Sequence, residues 1–376
     1  MKKKLLFNWG LSDTTGWGIY GMNLLEWGMK SDSFRLIPFH WPPSLLYPIN
    51  QLRIAQLEGF AKSLEGDQSW SANDIALIHL GNQIQIPTFN SPIKEVGVTF
   101  FESNPVSQEN IDKLKRLHAV VTGSSWNSQK LAEAGVPNHF QIQGVDTDLF
   151  RPQDKRIYAD RFVVFSGGKL EYRKGQDIVL AAFKIFANKY TDALLINCWR
   201  SPWEGPVAHS INFSGLCKEF YPSKDMGHSI NDWIRRNGIK DENFLTLDLI
   251  PNILMPEIFR EVDLAVFPNR CEGGTNLVAM EALSSGVPCA ISMNTGHLDL
   301  IRKGNCFPLT AQGRVNKAES LETSEWGESS VDELVAVMEG AYLKRAQLNQ
   351  TEIRSSMIPC SWKNSICNLL HYLDRV

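Results

Sequence analysis

The stretch Phe267-Pro268-Asn269-Arg270-Cys271-Glu272-Gly273-Gly274-Thr275-Asn276-Leu277-Val278-Ala279-Met280-Glu281-Ala282-Leu283 changes character twice. An apolar run gives way to a Gly-Gly loop, and the loop gives way to a helical pattern that Thr275 or Asn276 is placed to begin. Strand, glycine loop and helix in that order build open α/β sheets, which bind ligands outside the carboxyl ends of their strands. A helix start offers free N–H groups and a positive dipole end to an anion. Glu281 lies one to two turns into the helix, where a carboxylate can accept two hydroxyl hydrogen bonds, as a ribose presents. Glu272 stands at the loop mouth, free to accept sugar hydroxyls. A helix serving only the core accounts for Leu277, Val278 and Leu283, but leaves both glutamates and the glycine pair without a use.

The same rhythm extends outward in both directions. Upstream of this stretch, strands are expected at Arg161–Ser166, Ala193–Cys198, Phe244–Leu247 and Leu264–Phe267, with Pro288–Ser292 after it and helices at Gln176–Asn188, Met255–Arg260 and Leu277–Ser285. The first part of the chain repeats the pattern with strands at Lys4–Trp9, Phe34–Phe39, Ile75–Leu80, Val96–Phe101, Ala119–Thr122 and Phe140–Gln143. Helices fit between them at Ile19–Met29 and Trp126–Ala134, the second with Ser125 as its N-cap and Gly135 past its end. The rhythm breaks around Gly144–Pro152, which places a domain boundary near residue 152. Ala318–Ser330 reads as a polar loop. The tail, Trp362–Leu373, is a helix with apolar positions Ile366, Leu369, Leu370 and Leu373, suited to packing back across both domains. The fold class is α/β with mostly parallel sheets.

The whole composition sets limits on function. At 376 residues the chain is long enough for two or three domains. Hydrophobic residues at 43% and charged residues at 21% exclude intrinsic disorder. A net charge of -3 gives no whole-protein field to gather nucleic acid or anionic lipid. Seven cysteines without a Cys-x-x-Cys spacing argue against a disulfide framework or a zinc site and fit a reducing compartment. The start, MKKKLLFNWG, lacks the 7–15 apolar residues of a signal peptide, and no stretch approaches a membrane span. A cytoplasmic protein is expected, with at most peripheral contact at the inner membrane face through Lys2–Lys4.

Two short motifs compete for attention. Gly16-Trp17-Gly18-Ile19-Tyr20-Gly21 is a literal G-x-G-x-x-G. A dinucleotide site needs those glycines directly after the first strand and an acidic residue at the end of the second, but Gly10–Thr15 intervenes and the second strand ends in Pro38-Phe39-His40. A glycine loop that brings backbone close to a phosphate or sugar suits the pattern better, and one that merely permits tight packing would read the same. Asp146-Thr147-Asp148 is a literal D-x-D, yet it follows Gly144-Val145 at the hinge, where Asp146 can close a turn through its own side chain. It is read as structural, with no metal site.

Ser166-Gly167-Gly168-Lys169-Leu170-Glu171-Tyr172-Arg173-Lys174-Gly175 again joins a strand to a helix, now with three basic residues in its loop. Cations beside an opened backbone suit a diphosphate, each charged hydrogen bond being worth about 1.5–3 kcal/mol. Together these segments resemble the family four retaining glycosyltransferases of the GT-B fold, which use nucleotide sugars. Gly168-Lys169-Leu170…Lys174-Gly175 is similar to the family's G-R-L-x-x-x-K-G, and Glu272…Glu281 followed by Pro288 to its E-x7-E and G-V-P-V signature. Gly144–Pro152 resembles the linker G-V-D-x-x-x-F-x-P, and Val120–Pro137 the S-x-W-x…L-x-x-x-G-V-P segment.

The resemblance implies two Rossmann-like domains facing across a deep cleft, with residues 1–152 on the acceptor side, 153–358 on the donor side, and 359–376 a helix crossing back to the N-terminal domain. It implies that Lys169 and Lys174 bind the donor diphosphate, Glu281 the ribose and Glu272 the transferred sugar. The backbone of Gly273, Gly274, Thr275 and Asn276, with Gly168 and Leu277, would cradle the donor, and Gly16 and Gly18 would face it from the other domain. Three departures stand out: lysine replaces the family's arginine at 169, eight residues instead of seven separate the two glutamates, and Phe101-Glu102 stands where the family often has a histidine. Glu102 is therefore the nearest group for sugar or acceptor, with His79 a weaker one. The implied reaction is metal-independent transfer of a hexose with retention, from a nucleoside-diphosphate sugar to a saccharide or glycolipid acceptor, as in polysaccharide biosynthesis. It needs no cofactor and no nucleic acid. The aromatic-rich stretches Trp9–Trp41 and Trp199–Trp233 suit sugar stacking or plain packing. An NAD-dependent oxidoreductase and a non-catalytic nucleotide-sugar-binding protein remain as alternatives.

Overall fold

The computed structural model describes residues 2–46, 51–62, 69–87, 92–103, 106–203, 205–315, 323–347 and 349–376. In the first part of the chain the elements run β1 (Lys3–Phe7), α1 (Gly16–Gly28), β2 (Phe34–Pro38), α2 (Gln51–Lys62), β3 (Ile75–Leu80), β4 (Lys94–Thr99), α3 (Gln108–Leu114), β5 (Ala119–Thr122), α4 (Ser125–Glu133) and β6 (Asn138–Phe140). The second sheet begins with β7 (Phe162–Gly167), α5 (Gln176–Lys189), β8 (Ala193–Cys198), α6 (Pro206–His209), α7 (Met226–Arg236) and β9 (Phe244–Thr246). It continues through α8 (Met255–Phe259), β10 (Leu264–Phe267), α9 (Leu277–Ser284), β11 (Cys289–Ser292) and β12 (Cys306–Leu309). A small hairpin, β13 (Gln312–Arg314) and β14 (Gly327–Ser329), precedes α10 (Val331–Lys344), α11 (Gln350–Ser355) and α12 (Trp362–Leu373).

Strand order explains where a ligand can sit. The first sheet is six parallel strands in the order β2-β1-β3-β4-β5-β6, and the second is six in the order β12-β11-β10-β7-β8-β9. Each chain path starts in the middle, runs to one edge, and returns to build the other side. Connections therefore diverge between β1 and β3 in one sheet and between β7 and β10 in the other, leaving a crevice beyond the strand ends at each point. The loops after β7 and β10 are the two glycine motifs of the sequence.

The strands read as continuous apolar runs because helices cover both faces of each sheet. Phe162, Val164, Leu264 and Val266 are buried on one face of the second sheet, and Val163, Phe165, Ala265 and Phe267 on the other. The last helix belongs with the first sheet: Trp362, Ile366, Leu369, Leu370 and Leu373 of α12 join the core around Leu5, Leu24, Leu36 and Val96. Tyr20 of α1 stacks on Trp362 with ring centroids 5.7 Å apart. This is a two-sheet α/β architecture with a C-terminal helix returning to the first sheet.

Local corrections have identifiable causes. Helix α1 starts at Gly16 instead of Ile19, because the Thr15 hydroxyl caps it by accepting from Gly18 N–H. Ser124, not Ser125, caps α4. Strand β6 is Asn138–Phe140, ahead of the expected Phe140–Gln143, in register with Val120–Thr122. Within the expected loop Ala318–Ser330, Gly327–Ser329 is a strand paired with Gln312–Arg314; residues 318–322 of it lie outside the described residues.

Candidate active site

The loop after β7 folds into a single 3-10 turn, Tyr172–Lys174, closed by Gly175 at φ 71°. An added Cβ there would strike the Pro268 carbonyl, so glycine lets this turn lie directly on the loop after β10. Arg270 joins the two loops from below. It is fully buried, bonds both oxygens of Asp177 at 2.9 and 2.6 Å, donates to the Tyr172 carbonyl at 2.6 Å, and lies 4.0 Å over the Tyr172 ring.

Three cations and three carboxylates interlock over this frame. Arg173 contacts Glu171 at 2.5 Å, Glu272 at 3.1 Å and Glu102 at 3.3 Å. Lys174 meets the other oxygen of Glu272 at 2.5 Å, and Lys169 pairs with Glu171 at 3.0 Å. Asn269 also donates to Glu272, whose own N–H is held by Thr295 Oγ1 at 2.8 Å. Burial works against ionising Glu272, but Lys174 and Arg173 more than reverse it and hold the carboxylate down at about 2. Burial lowers the Lys174 pKa against the pull of Glu272. The cluster crosses the cleft, since Glu102 comes from the loop after β4.

Glu281 is the opposite case. It is buried in α9 with the Asn252 amide donating to it at 2.5 Å, and burial pushes its pKa up to about 8. Its carboxyl is therefore largely neutral near pH 7 in the unliganded protein. Asn252 reaches the site by donating its backbone N–H to the Asp13 carbonyl of the first sheet at 2.7 Å. Asn276 caps α9 at φ 65°, accepting from Ala279 N–H while its amide meets His297 Nε2 at 3.2 Å.

Of these groups the three cations, Glu102, Glu272, Asn252, Asn276 and Glu281 line one cavity of about 500 Å³ between the sheets, within the roughly 300–1,000 Å³ of small-molecule sites. Of the residues singled out in the sequence, Gly16, Glu102, Gly168, Lys169, Lys174, Glu272, Gly274, Asn276, Leu277 and Glu281 line it. Three expected donor contacts do not. Gly18 packs against Ser12, whose atoms would lie 2.6 Å from an added Cβ; Gly273 backs onto the Phe100 carbonyl. Thr275 is fully buried with its hydroxyl 3.2 Å from Met280 Sδ. The glycine pattern Gly16–Gly21 thus lies inside α1, and of its three glycines Gly16 alone lines the cavity. His79 does not line the cavity; its ring packs edge-on against Trp17 with ring centroids 4.2 Å apart. Asp146 Oδ1 accepts from Asp148 and Leu149 N–H groups, closing the turn expected of it. Sequence reasoning assigned no role to Glu171, Asn252 or Arg173 individually. Arg173 carried a signal in the basic run; Asn252 carried none.

Of the aromatic-rich stretch Trp199–Trp233, Trp199, Phe220 and Trp233 are core, while Trp203 is exposed at the cavity rim. Lys3 pairs with Asp374, and Lys2 donates to the Ser31 carbonyl. Among the described residues all seven cysteines are free, no group of three or more His, Cys, Asp or Glu is placed to hold a metal, and no helix is long and apolar enough to cross a membrane.

Residues 149–325 match the family model for glycosyl transferases group 1. That part of the chain is a group 1 glycosyltransferase domain. Among solved structures, sucrose-phosphate synthase from Thermosynechococcus elongatus superposes with a TM-score of 0.67 at 14% identity, covering 100% of this chain and 99% of that one. Anabaena HepE in complex with UDP and glucose gives 0.66 at 14% identity with 100% of both chains covered. The trehalose-6-phosphate synthase OtsA gives 0.65 at 11% identity over 100% and 99%. At such identities the likeness establishes the GT-B fold, shared along the whole chain. No curated protein sequence matches it.

Proposed function

We propose that this glycosyltransferase transfers a hexose from a nucleoside-diphosphate sugar to an acceptor hydroxyl with retention of configuration. The observation that carries the reading is the cluster of Lys169, Arg173 and Lys174 beside Glu272, at the switch point of the second sheet, with Glu281 in the same cavity. The division of labour follows the sheets: residues 1–152 receive the acceptor, 153–358 hold the donor, and 359–376 return to the first sheet.

A nucleoside diphosphate is a competent leaving group, so catalysis needs stabilisation of negative charge growing on its β-phosphate more than a strong acid. In the unliganded site each cation is already matched by Glu102, Glu171 or Glu272. An incoming diphosphate competes for Lys169, Arg173 and Lys174 and leaves Glu272 free to accept hydroxyls of the transferred sugar. These cations supply the positive charge without a metal. Glu281 accepts the ribose hydroxyls. The departing phosphate helps take the acceptor proton on the same face, and a saccharide or lipid-linked hydroxyl is the acceptor. HepE, solved with UDP and with UDP-glucose, makes the uridine nucleotides the first donors to try.

The experiment is a thermal-shift panel of UDP, GDP, ADP, their sugar conjugates and NAD, with and without EDTA. A ligand at a hundred times its dissociation constant adds about 2.7 kcal/mol to the folded state. A shift by one nucleotide family that survives EDTA supports the reading. A shift with NAD alone, or with none of these, refutes it.

A further inference from the structure

The two walls of the cavity differ in charge. The second-sheet wall carries Lys169, Arg173, Lys174 and Arg200. The first-sheet wall includes Asp13, Thr14, Thr15, Trp17, Asn82 and Glu102, and among the described residues no Lys, Arg or His of residues 1–152 lines it. The cations opposite are engaged, Lys169, Arg173 and Lys174 with carboxylates of the donor cluster and Arg200 with Asp248 at 3.1 Å. The remaining source of positive potential in the first wall is the start of α1. It faces the donor loop: an added Cβ on Gly16 would touch Leu277 at 3.7 Å.

The polar groups of this wall are held in place. Asn82 bonds Glu102 twice, donating to its carboxylate at 2.8 Å and accepting its backbone N–H at 2.8 Å. Asp13 accepts from Leu46 N–H at 3.0 Å and, through its carbonyl, is tied to Asn252. A phosphate carries about -1.5 to -2 charge at neutral pH and is recognised by Arg, Lys or clustered N–H groups. Placed against this wall it would meet two carboxylates in a partly desolvated cleft. A sugar hydroxyl meets oxygens that accept its proton, and Trp17 offers apolar surface for its C–H face.

Building on the glycosyltransferase reading, we infer that the acceptor is an uncharged hydroxyl compound, a neutral saccharide or glycoside, and that Asp13 and Glu102, with Asn82 bracing Glu102, exclude phosphorylated sugars. The test measures nucleoside diphosphate release by the full chain from UDP-glucose, GDP-mannose and ADP-glucose. Glucose, fructose, maltose and methyl glucoside are each compared with glucose 6-phosphate and fructose 6-phosphate. At least tenfold greater acceleration by a neutral sugar than by its 6-phosphate is expected. A 6-phosphate equal to or better than its parent overturns the inference. Where neither accelerates release, the UDP-loaded enzyme decides: glucose 6-phosphate must raise its melting temperature no more than glucose does, and a larger rise overturns the inference. Asp13→Asn is expected to narrow the neutral-to-phosphate ratio at least threefold, and an unchanged ratio overturns the part given to Asp13. If no nucleotide sugar is consumed and none shifts the melting temperature, the glycosyltransferase reading falls and this inference with it.

Discussion

Replacing Glu281 with glutamine should make the unliganded protein more stable while weakening its hold on nucleotide. Burial moves this carboxyl from an ordinary 4.5 to about 8, with the Asn252 amide as the one opposing influence. In the unfolded chain the group ionises above its ordinary pKa, whereas the fold keeps it neutral until the raised value. The native state is therefore penalised progressively from pH 4.5 to about 8, and not at all below 4.5. At ~1.4 kcal/mol per pH unit the full penalty is about 5 kcal/mol, of which about 3 kcal/mol acts at pH 7. Glutamine keeps an oxygen for Asn252 to donate to and carries no charge to desolvate. With an unfolding entropy of ~2.1 cal/mol/K per residue, about 3 kcal/mol corresponds to a gain of about 4 °C in this chain. The assay is the difference in melting temperature between Glu281→Gln and wild type at steps from pH 4.5 to 8.5. The offset should start near zero and grow with pH, while UDP affinity falls at least tenfold through the weakened ribose contact. An offset that is the same at every pH would refute the reasoning.

Other perturbations separate the frame from the chemistry. Arg270→Met strands the fully buried Asp177 charge and should cost about 3–5 kcal/mol, read by urea unfolding. Gly296→Ala would drive a methyl into the Gly274 carbonyl; the donor loop must shift, and the nucleotide-induced thermal shift should be lost. His297→Leu removes the acceptor that orients the Asn276 amide, and the donor KM should rise at least tenfold. His297→Gln, which restores an acceptor, should recover much of that loss, measured by initial rates at varied donor.

The sheets were legible because their strands are sandwiched between helices, so Phe162–Gly167 and Leu264–Phe267 stand out as unbroken apolar runs. The crossing of α12 was legible for a related reason: Ile366, Leu369, Leu370 and Leu373 give the tail helix one apolar face. The glycines were harder. A missing Cβ makes room for a ligand or for a neighbouring chain, and spacing cannot say which; Gly274 lines the cavity whereas Gly18 and Gly273 give way to Ser12 and Phe100. The bond between Asn252 and Glu281 and the ion pair between Glu102 and Arg173 join segments far apart in sequence, and folding alone brings them together. Gly327–Ser329 escaped notice because a three-residue edge strand with one apolar neighbour leaves no periodic trace.

The central claim is that the cations of the loop after β7 stabilise the departing diphosphate. It is tested most directly by kcat of Lys174→Ala at saturating nucleotide sugar, on protein whose melting transition remains cooperative. Losing one preorganised charge contact costs about 2.7–4 kcal/mol of transition-state stabilisation, so kcat should fall 10²–10³-fold. Turnover within a factor of three of wild type would contradict the account.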